Sequence, residues 1–110
     1  MTESLNYLNG QKIDGKHLLV HDLAGPAYVY YTTIHPHKET WHNLLGATGL
    51  HWNTNYDSLG QTINERTALL YSWEEDDKIA RQRAAIEKNN QQEAEHIVTG
   101  GRVYIYQKKP

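Results

Sequence analysis

Between His35 and His42 the chain concentrates side chains that can bind a metal ion or transfer a proton. His35 and His37 flank a proline, and Glu39 and His42 follow within five residues. Imidazole nitrogens and carboxylates are ligands that zinc, iron and manganese accept, so these four residues form a candidate transition-metal site. Without a metal, the same histidines are candidates for general acid–base catalysis. The structural alternative is that these histidines are solvated neighbours, because none of their spacings is diagnostic.

Tyrosine and tryptophan form a second group of interest, with eight Tyr, three Trp and no Phe in the chain. Both types combine an apolar body with a polar group, which suits half-buried faces and contact surfaces. If Tyr28–Ile34 is a strand, Tyr28 and Tyr30 share one of its faces. We predict a contact surface made of these two residues with Trp52 and Tyr56. The alternative function of this group is to line a pocket for a small ligand.

The composition excludes several classes of site and partner. With no cysteine, the chain has no disulfide, thiolate nucleophile or cysteine-ligated metal. Its formal charge of −2 creates no positive field for phosphates, so nucleic acid is not an expected partner. No segment approaches the roughly 20 apolar residues of a membrane span, and the first residues do not resemble a signal peptide. We therefore expect a cytoplasmic protein with no membrane contact and, apart from the candidate metal, no cofactor.

The length of 110 residues predicts a single domain over residues 1–110. Within residues 1–15, two Xaa-Gly dipeptides favour tight turns, so this segment is predicted to be a loosely ordered ribbon. Residues 107–110 are predicted to be a flexible tail.

Apolar patterning and turn residues predict an α+β fold. The predicted elements are strands over Lys16–Leu23 and Tyr28–Ile34, a short helix over Lys38–Leu45, a short strand around His51–Tyr56, a strand over Thr67–Trp73, a long helix from Glu74 to about Val98, and a strand over Arg102–Gln107. The first two strands would form a hairpin. This order predicts a mostly antiparallel sheet of four to five strands with one short and one long helix. Without the first strand it is βαββαβ, the ferredoxin-like arrangement.

The long helix has an unusual length for a chain of this size. Ser72 and Glu75 have the spacing of a capping box, and acidic residues over 74–77 complement a helix N-terminus. A helix over residues 73–98 would be about 39 Å long, three times the radius of gyration of about 13 Å expected for the whole chain. Either the helix breaks in the polar segment 89–92, or its overhang packs on another chain. The second option predicts a homodimer.

No motif in the sequence assigns a function. The leading hypothesis is a small intracellular binding or accessory protein, of phage or mobile-element origin, that acts through protein–protein contacts as a homodimer. One alternative is a metal-dependent or histidine-based enzyme that uses the His35–His42 cluster. The other is a small-ligand-binding module with a pocket lined by Tyr and Trp.

Overall fold

A computed structural model describes residues 1–72 and 77–110. The helices and strands of this part are α1 (Thr2–Gly10), β1 (Leu18–His21), α2 (Gly25–Thr33), β2 (Thr48–Leu50), α3 (Tyr56–Thr62), β3 (Thr67–Tyr71), α4 (Asp77–Glu87), β4 (Asn90–Val98) and β5 (Gly101–Lys108). Two 3-10 segments cover Gly15–His17 and Lys38–Leu44. The predicted helix start at Glu74 and the capping residue Glu75 lie outside the described residues.

The five strands of the described chain form one mixed sheet in the order β2-β1-β3-β5-β4. Strand β1 is parallel to both of its neighbours, whereas β5 is antiparallel to β3 and β4. The predicted α+β class and strand number are confirmed. The ferredoxin-like arrangement is not, because the segment Tyr28–Ile34 that it needs as a strand is helical.

The ribbon predicted for residues 1–15 is instead helix α1 followed by a 3-10 turn. Leu5 and Leu8, three residues apart, are both fully buried, so the helix has an apolar stripe facing the sheet. Asp14 caps the first 3-10 segment, where its carboxylate accepts a hydrogen bond from the His17 N–H at 3.1 Å. The turn-forming residues were identified correctly, but they end and start helical segments.

The strand predicted over Tyr28–Ile34 is also wrong, and with it the hairpin. Parallel pairing of β1 with β2 requires a crossover connection, and α2 supplies it. Ala24, Tyr28 and Thr32 recur every four residues and are all buried, which is the spacing of a helix face. Tertiary burial of this face outweighs the β-propensity of the aromatic and β-branched residues.

The long helix is replaced by α4, a turn and β4, so the first of the two options above holds. Asn90 marks the change, because its side-chain N–H groups donate to the Ile86 carbonyl at 3.0 Å and the Gly60 carbonyl at 2.7 Å. These bonds satisfy a carbonyl at the end of α4 and connect it to α3. The overhang that motivated a dimer does not exist, so a dimer needs a different argument.

The remaining predictions agree with the structure more closely. The strands predicted over Thr67–Trp73 and Arg102–Gln107 correspond to β3 and β5, and the short helix at Lys38 is 3-10. The strand placed around His51–Tyr56 lies earlier, at β2, and Tyr56 begins α3. Because β5 continues through Lys108, the predicted tail is shorter than four residues.

The described part of the chain has a hydrophobic cluster on each side of the sheet. The first side is covered by α1, α2 and the second 3-10 segment, through residues such as Leu8, Tyr28 and Leu44. The second is covered by α3 and α4, through Tyr56 and Ile86 among others. Among the described helices, none is long and apolar enough to cross a membrane.

Candidate functional site

Helix α2 is held on the sheet by its buried face. The Tyr28 hydroxyl donates a hydrogen bond to the Leu44 carbonyl and accepts one from the Ala47 N–H at 3.2 Å. One turn later, the Thr32 hydroxyl donates to the Tyr28 carbonyl at 2.8 Å. Because these polar groups are partnered, the side of α2 that faces the protein is fixed and the opposite side must face outward.

The outward side of α2 is apolar and carries no charge. Its exposed residues, together with one exposed residue in the turn on each side of the helix, form what we call the α2 face: Leu23, Pro26, Val29, Tyr30, Thr33 and Ile34. The side chains of Ile34 and Val29 are 66 % and 50 % exposed, respectively. A helix on the surface of a soluble domain normally presents charged or polar residues to water, and α2 has no charged residue.

Exposed apolar area of this kind is characteristic of interaction surfaces. Leu23, Val29, Tyr30 and Ile34 are between 43 % and 66 % exposed, and together with the exposed Pro26 and Thr33 they present on the order of 500 Å². The largest apolar patch on a typical monomer is about 300–600 Å² and is often functional. The α2 face is therefore the strongest candidate in the described structure for contact with a partner.

The predicted contact surface of four aromatic residues is divided by the fold. Tyr30 and Trp52 are 43 % and 40 % exposed, whereas Tyr28 and Tyr56 are buried on opposite sides of the sheet. Tyr28 and Tyr30 would share a face in a strand, but in a helix residues two positions apart point about 200° apart. The exposed neighbours of Tyr30 are therefore Val29 and Ile34 and not Tyr28, and the contact surface itself stays a prediction.

Two of the four predicted metal ligands remain neighbours in the structure, because the His35 and His37 rings lie 5.6 Å apart between centroids. The His35 ring packs among the rings of Tyr30, Tyr31 and Trp41, and its Nδ1 accepts the His37 N–H at 2.9 Å.

The other two predicted ligands, Glu39 and His42, line a groove of about 220 Å³ next to Thr33 and Leu45. In residues 1–72 and 77–110, no three His, Asp or Glu side chains are grouped so that they could hold a metal ion. The metal site stays a prediction, which elemental analysis of protein without a polyhistidine tag would test.

A second candidate site lies at the carboxyl ends of β1 and β3. These strands are adjacent and parallel, but α2 follows β1 on one side of the sheet and α4 follows β3 on the other. In open α/β sheets, ligands bind in the crevice that forms where the connections after two adjacent strands leave on opposite sides of the sheet. We call this place the strand-end site.

Aromatic and polar side chains of three strand ends meet at the strand-end site. The buried His21 ring lies edge-on to Trp52 at 4.3 Å between centroids and 5.1 Å from the Tyr71 ring. Asp22 accepts a hydrogen bond from the His51 ring at 2.6 Å. The set combines a carboxylate, imidazoles and an exposed indole, which are groups that orient a small polar ligand.

Two hydroxyl groups of the strand-end site have no hydrogen-bond partner. They belong to Tyr71 and Ser72, and both oxygen atoms are buried. An ordinary tyrosine hydroxyl is already protonated at neutral pH, and burial raises the pKa of Tyr71 further, so this group can donate a hydrogen bond. A buried hydroxyl without a partner costs free energy that a polar ligand or water would recover.

Sequence reasoning missed His21, Asp22 and Tyr71 as members of a site. Their signal is positional, because each ends or directly follows an apolar run that forms a buried strand. Recognising it requires knowing that the two runs are adjacent parallel strands, and the hairpin predicted between Lys16 and Ile34 concealed this pairing. Comparison with family models, with curated proteins and with solved structures finds no match to the chain.

Proposed function

We propose that this chain is a small binding protein that acts through contact between the α2 face and an apolar face of a protein partner. The observation that supports this most is Ile34, the C-cap residue of α2, which is 66 % exposed next to a helix without a charged residue. Burial of apolar surface contributes about 25 cal/mol per Å², so covering the α2 face would be favourable.

The absence of charge on α2 defines the chemistry of the partner. A charged group placed against Val29 or Ile34 would lose its hydration and gain no counter-charge there. The partner surface is therefore apolar at its centre, such as one face of a helix, with polar groups only at its rim.

Site-specific photo-crosslinking in cells tests this proposal. A photoreactive amino acid replaces Val29 in one variant and Ile97 in the control, because Ile97 is similarly exposed, at 48 %, but lies on β4. We expect discrete crosslinked adducts from position 29 and none from position 97. No discrete adduct at position 29, or equal adducts at both positions, would contradict the proposal.

A second candidate function, small-ligand binding at the strand-end site, is favoured by the unpartnered hydroxyl groups of Tyr71 and Ser72. The exposed Trp52 ring already attracts a cation, since the Lys78 ammonium lies 5.4 Å from its centroid. A small organic amine with a polar group would use the indole, the Asp22 carboxylate and the buried hydroxyls together.

Amide chemical shifts measured with a set of small aromatic and aliphatic amines test the second candidate. Saturable shifts at Asp22, Trp52 and Ser72 would support it, and the Tyr71→Phe variant should weaken the same binding without loss of stability. Its stability should be retained because the hydroxyl it removes has no partner. Binding that is unchanged by Tyr71→Phe would contradict this candidate.

A further inference from the structure

We propose that the partner of the α2 face is a second copy of this chain, with the two α2 helices packed antiparallel across a two-fold axis at Tyr30. This inference rests on the proposed function and specifies its partner. Three properties of the α2 face support it: the symmetry of its side chains, the charge at its two ends and its area.

The stripe of exposed side chains is symmetric about Tyr30 along the helix. Pro26 lies four residues before it and Ile34 four residues after it. An antiparallel pair centred on Tyr30 therefore places the small Pro26 against the large Ile34 of the second copy, and the reverse. Alternating small and large residues is how facing helices fill the space between them. Because α2 is uncharged, like charges do not meet at the centre of this interface.

The two ends of α2 differ in charge. Asp22 precedes the helix, with a side chain 36 % exposed, and the exposed Lys38 and Glu39, whose charges offset each other, follow it. Antiparallel packing brings the Asp22 end of each copy towards the Lys38 end of the other, and it also opposes the helix dipoles favourably. Parallel packing would bring Asp22 near Asp22 and Lys38 near Lys38. The charge distribution therefore favours the two-fold arrangement.

The area of the α2 face is sufficient for a reversible dimer. Two faces of on the order of 500 Å² bury about 1,000 Å² together, which is just below the range of about 1,200–2,000 Å² for stable interfaces. Interfaces of about 1,600 Å² range from micromolar to picomolar affinity, so for this smaller one we expect a monomer–dimer equilibrium with a dissociation constant in the micromolar range or above and not an obligate dimer.

Sedimentation velocity over a concentration series tests the dimer. The wild-type chain should change from monomer to dimer as its concentration rises through the expected dissociation constant. Val29→Glu should raise that constant at least tenfold, because it places a carboxylate against apolar surface of the second copy. Ile97→Glu, the matched control on β4, should leave it unchanged. Circular dichroism of each variant establishes that the fold is retained.

Charge reversal tests the antiparallel arrangement. Asp22→Lys and Lys38→Asp should each weaken the dimer several-fold, and the double variant should regain most of the loss, since opposite charges again face each other. The Asp22 carboxylate also bonds His51, so recovery in the double variant separates the interface effect from the loss of that bond. Failure of the double variant to recover would overturn the antiparallel geometry.

A wild-type chain that stays monomeric at all concentrations would overturn the dimer. The proposed function has a separate outcome, because the photo-crosslinked adduct at position 29 has a measurable mass. An adduct of twice the mass of the chain supports the dimer. An adduct of any other mass supports the proposed contact function but contradicts self-association.

Discussion

Tyr28 and Tyr30, two residues apart on α2, lie on opposite sides of the helix. The Tyr28 side chain is 8 % exposed and hydrogen-bonded through its hydroxyl, whereas Tyr30 is 43 % exposed beside Ile34. One tyrosine fixes the helix on the sheet and the other belongs to the face that is free for contact. The two residues should therefore differ in their effects on stability and on association.

Removing the Tyr28 hydroxyl should destabilise the fold. Tyr28→Phe leaves the Leu44 carbonyl and the Ala47 N–H without this partner, which costs about 1–3 kcal/mol in the free energy of unfolding. Tyr30→Phe, the matched control, should change that free energy by less than about 0.5 kcal/mol. Urea denaturation measures both values. Equal effects of the two variants would contradict the assignment of buried and exposed faces.

The close approach of the first 3-10 segment to Leu45 should make Gly15 irreplaceable. A Cβ atom at position 15 would lie 1.6 Å from the Leu45 carbonyl oxygen, so the backbone must move to accept it. We expect Gly15→Ala to cost about 3 kcal/mol or more in thermal or urea unfolding.

Gly10→Ala is the control, because a Cβ there meets nothing within 4 Å and the residue lies at the end of α1. Its effect should be neutral or slightly stabilising, by up to about 0.5 kcal/mol. If Gly15→Ala were equally tolerated, the packing of this segment on Leu45 would be incorrect.

His17 should make stability depend on pH. Its ring bonds the Asp14 carboxylate at 2.7 Å and also the Glu65 carboxylate, and these acceptors, Asp14 first, raise the pKa of His17 above its ordinary 6.5. The folded state therefore holds the proton more tightly than the unfolded chain does. The stabilisation is complete below the pKa that His17 has in the unfolded chain. It is lost as the pH rises through the higher pKa that His17 has in the folded state.

Asp14 responds in the opposite range, because its hydrogen bond with His17 lowers the pKa of this carboxyl below 3.8. Its stabilisation is present above that value and is lost as the pH falls.

The contribution of His17 is measured by urea denaturation between about pH 5.5 and pH 8.5. Over this range the free energy of unfolding should fall more for the wild type than for His17→Gln. Identical declines would show that the bonds between His17 and its two carboxylates do not stabilise the folded state. The variant comparison is needed because the chain contains six other histidines.

The strands whose own pattern of apolar residues already specifies a strand were predictable from the sequence. β3 is a short apolar run and β5 alternates strongly, and both are buried strands. The strand prediction over Tyr28–Ile34 was wrong because its aromatic and β-branched residues favour a strand locally. The segment is helical because it belongs to the connection between the parallel strands β1 and β2. The break of the long helix was one of two options that the sequence left open at residues 89–92, because the choice depends on contacts such as the hydrogen bond from Asn90 to Gly60, thirty residues earlier.

The candidate sites were less predictable than the strands. Of the four aromatic residues predicted to form a contact surface, Tyr30 and Trp52 are exposed and Tyr28 and Tyr56 are buried. The exposure of Val29 and Ile34 was not predicted, because exposure along a helix depends on which side the sheet covers. The strand-end site required the strand order, which apolar patterning does not contain.

Disulfide formation at the centre of the α2 face tests the self-contact most directly. The chain has no cysteine, so a single introduced thiol has no intramolecular competitor. Across the proposed two-fold axis, Tyr30→Cys should oxidise to a covalent dimer much faster than Ile97→Cys, which is similarly exposed on β4. Dimer yield on non-reducing gels measures both rates. Equal rates for the two variants, or a Tyr30→Cys chain that stays monomeric, would contradict the account.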